Sequence, residues 1–443
     1  MPVASAAVVA PIPAHQLLVF LVEVPLLLLV ARLFGVVAGR YGLPAVVGEL
    51  LAGVALGPSL LGAIGHAPAA WLFPRSAPQF HLVDALAEVG VVLLVGLTGM
   101  DVDTRFLRRK ASATLPVSIA GLSIPLLLGV GAGLLLPGEL IPPHVDRTIF
   151  ALFLGVALAV SALPVIMKTL LDMDLLHREI GQLTLAAATI DDVFGWLMLS
   201  VVSMLATTGQ GGGQVAATVG WVVLTALVAV VLGRPLTGVV LRWARRYGGP
   251  TGPLAAATVM ILAAAAATQA MRLEPILGAF AVGMALGAGR DFRPPELAPL
   301  RTVVLGILAP LFFATAGLRV DLTQLRHPAV AWTAAVVLVL AVVGKFLGAY
   351  LGARIGRLDH WSGLALGAGL NARGVIQVVV ANVGVQLGVL TSAMYTVIVL
   401  TAITTSTMAA PTLRWAMRHR DQTIQEAPRE PVAWVDPGIL TGQ

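Results

Sequence analysis

The sequence predicts an all-α polytopic membrane protein that crosses the bilayer about thirteen times. Hydrophobic residues make up 58% of the 443-residue chain and charged residues only 11%, with a mean hydropathy of +0.92. A soluble globular domain carries about 25% charged residues. Apolar windows of about 20 residues, the length that a helix needs to cross a bilayer, recur along nearly the whole chain. Lys and Arg residues are concentrated in every second connecting segment, as expected when those segments lie on the cytoplasmic side of the membrane.

Thirteen windows have the length and hydropathy of a spanning helix. They lie near residues 16–38, 44–63, 82–100, 112–136, 149–171, 180–206, 214–233, 252–271, 274–289, 298–318, 329–353, 361–386 and 390–413. The twelfth window is interrupted by polar residues. Because residues 1–31 contain no Lys or Arg, the first window lacks the basic region of a signal peptide and is predicted to be retained. It follows a short N-terminal segment, residues 1–15.

The basic residues predict the orientation of the chain. Of the 28 Lys and Arg residues, twenty lie in one set of alternating connections and the C-terminal tail, five lie in the opposite set, and Arg32, Lys345 and Arg373 lie within spans. Cytoplasmic connections carry the excess of Lys and Arg. We therefore expect a plasma-membrane protein with its N-terminus outside and its C-terminus in the cytoplasm. The polar tail, residues 414–443, contains three prolines and is predicted to be disordered.

Two short motifs recur in the same order and predict an internal repeat. Residues 48–57 and 278–287 share Gly-x4-Gly-x-Ala-Leu-Gly, and residues 99–108 and 317–326 share Gly-x2-Val-Asp-x3-Leu-Arg. The offset is seven spans, an odd number, so the second copy crosses the membrane in the opposite sense. Inverted repeats are typical of alternating-access transporters. The predicted repeats are 16–206 and 252–413, six spans each, joined by a linker helix and a basic loop over 207–251.

Residues 183–200 form an apolar stretch with two adjacent carboxylates, Asp191 and Asp192, close to its midpoint. Ionisable groups at bilayer depth are costly, rare and typical of ion or proton paths. A carboxylate can bind either a small cation or a proton, and competition between the two is sufficient for antiport. Adjacent residues on a helix point about 100° apart, so the two need not share a role. The alternative, a loop between two short soluble helices, conflicts with the unbroken apolar flanks.

Spans five and twelve, which are equivalent in the two repeats, both contain helix-breaking residues. Span five contains Ser161 and Pro164, and span twelve contains Asn371 and Arg373 in a glycine-rich run. Broken helices at mid-membrane expose half-helix ends whose dipoles and free backbone groups can face an ion. Irregular backbone is tolerated at that depth only where it is buried in protein or lines a wet cavity.

Three further polar residues within spans have predicted supporting roles. Lys345, in span eleven, requires a partner carboxylate at bilayer depth, unless its side chain extends to an interface. Arg373 is permanently charged and is predicted to brace half-helix carbonyls or an acidic side chain, because it would repel a transported cation. Gln377 is predicted to form an interhelical hydrogen bond.

The sequence lacks the residues and motifs that several other classes of function require. There is no cysteine, which excludes disulfides, thiol catalysis and iron–sulfur clusters. The spacing of the eight histidines does not match a cluster of metal ligands. The only Gly-Lys pair in a span lacks the other glycine and the Ser or Thr of a Walker A nucleotide-binding motif. A cation channel, a proton-driven exporter of an organic cation, and a non-transporting sensor or scaffold remain as alternatives to an antiporter.

Five segments carry a resemblance to a known family. They are residues 48–62, 161–196, 310–322, 344–354 and 371–384. Together they resemble the monovalent cation:proton antiporter-2 family, which includes bacterial sodium/proton antiporters, potassium-efflux antiporters and plant cation/proton exchangers. The resemblance covers nearly the whole membrane portion.

The resemblance implies a homodimer in which each protomer has a dimerisation domain and a mobile core with two crossed discontinuous helices. It implies that Asp192 binds the proton and the transported monovalent metal cation. Asp191 would be the partner of Lys345, and Ser161 would lie in the first broken helix. The Asp-Asp pair is similar to that of electrogenic members, which implies more than one proton per cation.

The sequence departs from the family pattern after Arg373. Many relatives have an acidic residue shortly after this position, whereas this chain has Val375 and then Gln377. The expected function is therefore a secondary active transporter, not an enzyme and without a cofactor, that exchanges Na⁺ or K⁺ for H⁺ by alternating access at the Asp pair.

Overall fold

The computed structural model describes residues 12–60, 77–102, 111–176, 178–208, 220, 233–271, 273–289 and 293–421. These residues form α-helices, joined by short turns and by brief 3₁₀ and π segments. The helices are α1 (Ala14–Arg40), α2 (Ala45–Leu56), α3 (Ala77–Met100), α4 (Ala111–Leu135), α5 (Arg147–Ala159), α6 (Leu163–Asp172), α7 (Glu179–Thr208), α8 (233–247), α9 (Gly252–Ala270), α10 (Pro275–Gly287), α11 (Pro294–Val303), α12 (Ala309–Leu318), α13 (Pro328–Ile355), α14 (His360–Leu370), α15 (Val375–Gln386) and α16 (Ser392–Asp421).

The all-α, multi-span architecture predicted from hydropathy is confirmed. In the described part of the chain, nine helical segments are long and apolar enough to cross a bilayer, and the pair α14–α15 makes a tenth. The short apolar helices α2 and α10 correspond to the second and ninth predicted spans. Twelve of the thirteen predicted spans thus have a helical counterpart. The seventh, at 214–233, lies almost entirely outside the described residues.

Two of the spans are interrupted at the positions where the sequence contains helix breakers. Helix α5 ends at Ala159 and α6 begins at Leu163, with Pro164 in its first turn, where the absence of a proline N–H leaves no donor unpaired. Helix α14 ends at Leu370 and α15 begins at Val375, and the two meet at an angle of 45°. The two interruptions face each other, since the Ala162 amide donates to the Ala372 carbonyl at 3.1 Å.

Glycines at the two copies of the repeated motif allow helix backbones to touch. In α2, a Cβ on Gly53 would lie 2.0 Å from the Ala314 carbonyl oxygen in α12. At the equivalent position of α10, a Cβ on Gly283 would lie 2.1 Å from the Gly96 carbonyl oxygen in α3. Helix association in lipid depends on such close packing of small residues. The second span of each predicted repeat therefore packs against the third span of the other.

Of the three buried clusters of side chains among the described residues, two meet at α7. The larger one draws mainly on α3, α5, the C-terminal half of α7, α10, α12, α15 and α16. The smaller one draws on α6, the N-terminal half of α7, α14 and the end of α16. Helix α7 crosses both clusters, and the Asp pair lies where one gives way to the other.

Two predicted boundaries differ from the observed ones. Helix α16 continues to Asp421, past the predicted end at 413, because backbone hydrogen bonds do not require apolar side chains once the helix leaves the hydrocarbon. Residues 422–443 of the tail lie outside the described residues. The predicted linker region 207–251 contains α8 at 233–247. The division into two repeats with these residue boundaries stays a prediction.

We predict that Gly317→Val destabilises the fold. A Cβ on Gly317 would lie 2.3 Å from the Leu50 carbonyl oxygen and 2.8 Å from the Gly53 Cα, so backbone must move to admit a side chain. Overpacking of this kind costs about 1–3 kcal/mol. Thermal unfolding in detergent, followed by size-exclusion chromatography, measures the loss.

The matched control is Gly131→Ala in α4, because a Cβ there meets no atom within 4 Å. Equal stability of the two variants would contradict the close approach of α2 and α12.

Candidate functional site

The acidic pair lies in the interior of the protein, on α7. Asp191 and Asp192 are both 0% exposed and occupy the middle turns of this helix. The next turn carries Gly195, against which Val160 of the first interruption and Ile376 of α15 pack closely. The sequence places two charges in one helical turn, and the tertiary structure brings both interruptions to that turn.

Asp191 is held by an ammonium group and a hydroxyl group. The Lys345 Nζ lies 2.7 Å from the Asp191 Oδ2. The Ser161 Oγ also lies 2.7 Å from that oxygen and 2.7 Å from the Leu370 carbonyl oxygen, so its single proton is donated to one of these acceptors. Both partners come from elements distant in sequence: Ser161 from the first interruption and Lys345 from α13. The other carboxylate oxygen, Oδ1, has no hydrogen-bond donor within the described residues.

Lys345 is fully buried and its ammonium group is saturated. Besides Asp191, its Nζ donates to the carbonyl oxygens of Ala159, at 2.7 Å, and Gly121, at 3.1 Å. The Ala159 carbonyl belongs to the last turn of α5, where the chain break leaves carbonyls without intrahelical donors. Lys345 thus pairs with a carboxylate inside the protein and does not extend to a membrane interface.

Asp192 is placed differently from its neighbour. Within the described residues, neither of its carboxylate oxygens has a hydrogen-bond partner at normal distance, although the side chain is fully buried. The backbone amide of Leu163, the first residue of α6, faces this carboxylate. The N-terminus of a helix carries partial positive charge and unpaired N–H groups. Asp192 therefore faces the positive end of a half-helix and keeps oxygen atoms free for a further partner.

Asn371 belongs to the second interruption and is also incompletely paired. It follows the C-terminus of α14 and is fully buried, and neither its Oδ1 nor its Nδ2 has a partner within the described residues. Because buried polar groups in folded proteins are normally hydrogen-bonded, unpaired atoms at both Asp192 and Asn371 indicate positions that a small polar ligand, such as water or an ion, can complete.

Arg373 braces the interruptions through backbone carbonyls. Its guanidinium donates to the carbonyl oxygens of Ala157 in α5, at 3.2 Å, and Ala341 in α13, at 2.9 Å. The hydroxyl of Ser406 in α16 donates to the Arg373 carbonyl. Ser406 is a site residue that sequence reasoning missed, since one hydroxyl in a Thr- and Ser-containing helix gives no distinguishing pattern.

The remaining predicted residues have structural positions. Pro164 is the second residue of α6 and so helps to fix the half-helix whose first amide, that of Leu163, faces Asp192. The Gln377 Nε2 donates to the Ile398 carbonyl in α16 at 3.2 Å, which is the interhelical bond that its position predicted. Of the predicted set, Ser161, Asp191 and Lys345 are in direct contact. Asn371 and Arg373 belong to the second interruption, and Asp192 faces the start of α6 at the first. Among the described contacts, none of these three side chains forms a hydrogen bond to the Ser161, Asp191 and Lys345 group.

The formal charges of the buried site balance. Lys345 and Arg373 supply two positive charges, and Asp191 and Asp192 supply two negative charges when both are ionised. One oxygen of Asp191 is paired with Lys345 and Ser161, whereas neither oxygen of Asp192 has a partner at normal hydrogen-bond distance within the described residues. In the described part of the chain, no group of three or more His, Asp or Glu side chains is arranged to hold a metal ion.

Comparison with protein families gives one match over most of the chain. The family described as "Sodium/hydrogen exchanger, transmembrane" matches residues 26–419. The chain is 30% identical to the Na(+)/H(+) antiporter NhaS4 of Synechocystis sp., an alignment that covers 90% of this chain and 97% of that protein. It is 25% identical to the Na(+)/H(+)-K(+) antiporter GerN of Bacillus cereus, covering 92% and 98%. Cation/H(+) antiporter 20 of Arabidopsis thaliana is 28% identical, with 89% of this chain matching 48% of that longer protein.

The fold is similar to that of a solved structure. The sodium proton antiporter MjNhaP1 from Methanocaldococcus jannaschii superposes with a TM-score of 0.66 at 15% sequence identity, covering 91% of this chain and 99% of the other. At this identity the likeness concerns the fold.

We predict that Lys345→Gln strongly destabilises the protein, whereas Asp191→Asn combined with Lys345→Gln recovers most of the loss. Removing one member of a buried ion pair leaves an uncompensated charge and costs about 3–5 kcal/mol, while neutralising both members removes that penalty. Thermal or denaturant unfolding of the two single variants and the double variant forms a double-mutant cycle.

The control is Lys168→Gln. Lys168 forms an ion pair with Asp172 at 2.6 Å, but the two side chains are 45% and 38% exposed. Such a pair contributes about 0.3–0.5 kcal/mol, so its loss is expected to change stability little. A Lys345→Gln variant as stable as Lys168→Gln would contradict the buried pairing.

Proposed function

The chain belongs to the sodium/hydrogen exchanger family, and from this premise we propose that it exchanges a monovalent cation, Na⁺ or K⁺, for H⁺ across the membrane. We infer further that Asp192 is the group at which the cation and the proton compete. Members of this family are transporters rather than enzymes, and two relatives that match over nearly their whole length bear the names of Na⁺/H⁺ or Na⁺/H⁺-K⁺ antiporters.

The observation that carries the proposal is the burial of the Asp192 carboxylate and its lack of partners. It is fully buried, it faces the N-terminus of α6, and neither of its oxygens has a hydrogen-bond partner at normal distance within the described residues. Oxygen ligands suit hard cations, and a carboxylate is also a base. Asp191 is less suited to the exchange because Lys345 and Ser161 already occupy one of its oxygens.

The charge balance supports competition between the two ions. With Asp192 ionised and unoccupied, the four buried side chains sum to zero. Binding of either one proton or one monovalent cation raises that sum to plus one. The net charge of the buried site is therefore the same with either ion bound. Binding of both together would place a second uncompensated charge in the interior, which is unfavourable. Exclusive occupancy by one ion or the other is the requirement for obligatory exchange.

We propose that alternating access arises from movement of the elements around the two interruptions relative to α1–α3 and α9–α12. Inverted repeats support such movement about a fixed mid-membrane site, and the reciprocal packing of Gly53 and Gly283 supports the repeat. The charge distribution supports an extracellular N-terminus and a cytoplasmic C-terminus. The homodimer and its dimerisation domain are part of the same proposal.

We predict that Asp192→Asn abolishes cation/proton exchange. Proteoliposomes with an imposed pH gradient would receive Na⁺, K⁺, Li⁺ or choline in turn, while an entrapped dye reports internal pH. We expect one or two alkali cations to dissipate the gradient with the wild type, choline to have no effect, and the variant to be inactive with every cation.

Asp172→Asn is the control, because it removes an exposed carboxylate that forms an ion pair with Lys168 at the end of α6, and it should leave exchange unchanged. Proton flux driven by choline-like organic cations alone would favour an organic-cation exporter. Unchanged alkali-cation flux in a folded Asp192→Asn variant would show that exchange occurs elsewhere.

We also predict that exchange is electrogenic, with more than one proton per cation. The basis is the adjacent Asp pair, which resembles that of electrogenic family members, and the second proton would be carried by the buried Asp191–Lys345 pair rather than by Asp192. An inside-negative potential should then accelerate proton uptake coupled to cation efflux. The potential is set with a K⁺ gradient and valinomycin for Na⁺ exchange, or with a permeant anion where K⁺ is transported. A rate independent of the potential would indicate one-for-one exchange.

A further inference from the structure

A polar ladder joins α15 to α3 and to the end of α12, at the end of α15 remote from the interruptions. The Gln386 Nε2 in α15 donates to the Glu88 Oε1 in α3 at 2.8 Å. One helical turn earlier, the Asn382 Oδ1 accepts from the Arg319 guanidinium, which also donates to the Asp84 Oδ1 at 2.6 Å. Asn382 and Gln386 share one face of α15, and Asp84 and Glu88 share one face of α3, since each pair is four residues apart.

The two rungs of this ladder differ in depth. Gln386 is exposed, whereas Asn382 is buried and Arg319 is 18% exposed. The Arg319 guanidinium also lies over the Phe80 ring, 5.0 Å from its centroid. The contacts thus run from the protein surface into the interior. Both connect α15, the second half of a broken helix, to α3 or to the end of α12.

A cavity of about 110 Å³ lies beside the ladder. Its lining includes Glu88, Asn382 and Gln386 from the ladder, together with Glu274, Phe312 and Val379. This volume admits several water molecules. The α15 residues that line it, from Val379 to Gln386, recur with the three- and four-residue spacing of one helical face.

The same face of α15 continues toward the Asp pair. One turn before Val379 lies Ile376, whose side chain packs against Gly195, and Gly195 lies one turn after Asp191 and Asp192 on α7. Ile376 and Gly195 thus connect the α15 face that lines the cavity to the turn of α7 next to the carboxylates, and both carboxylates are fully buried. With the proposed topology, this side of the membrane is the extracellular side.

We propose that the Glu88–Gln386 and Asp84–Arg319–Asn382 contacts form the extracellular gate of the transport path. In this arrangement the cavity is the vestibule behind the gate, and α15 must separate from α3 and α12 for a cation to reach Asp192 from outside. The inference rests on the proposed antiport function and orientation, and it adds positioning residues that act through α15 without touching the transported ion.

The gate has a measurable consequence for the equilibrium between outward-open and outward-closed states. A contact present in the closed state alone favours that state, so its removal shifts the population toward the open one. Loss of one hydrogen bond to a charged group corresponds to a change of about tenfold or more in such an equilibrium. The shift should lower the KM for the cation presented outside and raise the KM for the cation presented inside.

Single-cysteine labelling tests the gate directly, because the chain has no native cysteine. Val379→Cys places a thiol in the vestibule, and a membrane-impermeant thiol reagent is added from outside in right-side-out vesicles. We expect slow labelling in the otherwise wild-type chain, and labelling about tenfold faster when Gln386→Ala is added. Glu139→Cys, at an exposed position on the same proposed side, gives the rate for an accessible thiol in each background.

A side-chain exchange provides the matched control. Gln386→Glu alone places two carboxylates opposite each other and should open the gate, whereas Glu88→Gln with Gln386→Glu restores an amide–carboxylate hydrogen bond in the reverse direction. We expect the double variant to return both the Val379→Cys labelling rate and the two KM values toward those of the wild type. A structural defect would instead lower the maximal rate from both sides and would not be rescued.

Unchanged labelling and unchanged KM values in Gln386→Ala, with exchange intact, would overturn the gate and leave the antiporter in place. Faster labelling without any cation-driven proton flux in the wild type would overturn the proposed function and leave α15 as a movable element.

Discussion

The burial of four ionisable side chains in one place is the constraint on which the rest of this structure depends. Asp191, Asp192, Lys345 and Arg373 are all fully excluded from solvent. Charges at bilayer depth persist only when they are paired or coordinated. The protein meets this condition with one direct ion pair, with backbone carbonyls that accept from Lys345 and Arg373, and with a helix N-terminus that faces Asp192. Several of these contacts use backbone groups that the helix interruptions leave without intrahelical partners.

The two interrupted helices supply those backbone groups. The end of α5 provides carbonyls at Ala157 and Ala159 for Arg373 and Lys345, and the start of α6 provides an amide for Asp192. The second interruption contributes Arg373 itself and the Leu370 carbonyl near Ser161. The interruptions are in turn stabilised by the charges that they bind, since an isolated break in lipid would leave several unpaired groups at a cost of several kcal/mol each. The buried charges therefore stabilise the helix interruptions, and the interruptions supply the backbone groups that pair with the charges.

Much of this arrangement was predictable from sequence, for a physical reason. Hydropathy is a strong local signal in a membrane protein, so a charged or helix-breaking residue inside an apolar window stands out; Asp191, Asp192, Lys345 and the two interruptions were placed in this way. Contacts that depend on tertiary packing were not predictable. Nothing local distinguishes Ser406 as the donor to the Arg373 carbonyl, or assigns Arg319 to both Asp84 and Asn382. The repeated glycines were visible as a pattern, but the backbones that they approach were not.

The position of α15 explains how events at the Asp pair can affect a surface about 15 Å away. This helix begins at the second interruption and ends at Gln386, and ten residues separate Ile376 from Gln386, at about 1.5 Å per residue. A short helix without internal breaks moves as a unit, so a displacement at Ile376, beside Gly195, must be accompanied by a displacement at Asn382 and Gln386. In the proposed mechanism, ion binding at Asp192 and the polar contacts of α15 with α3 act on opposite ends of one rigid helix. Under that proposal, the ion bound at Asp192 would bias, through α15, which side of the membrane the site faces.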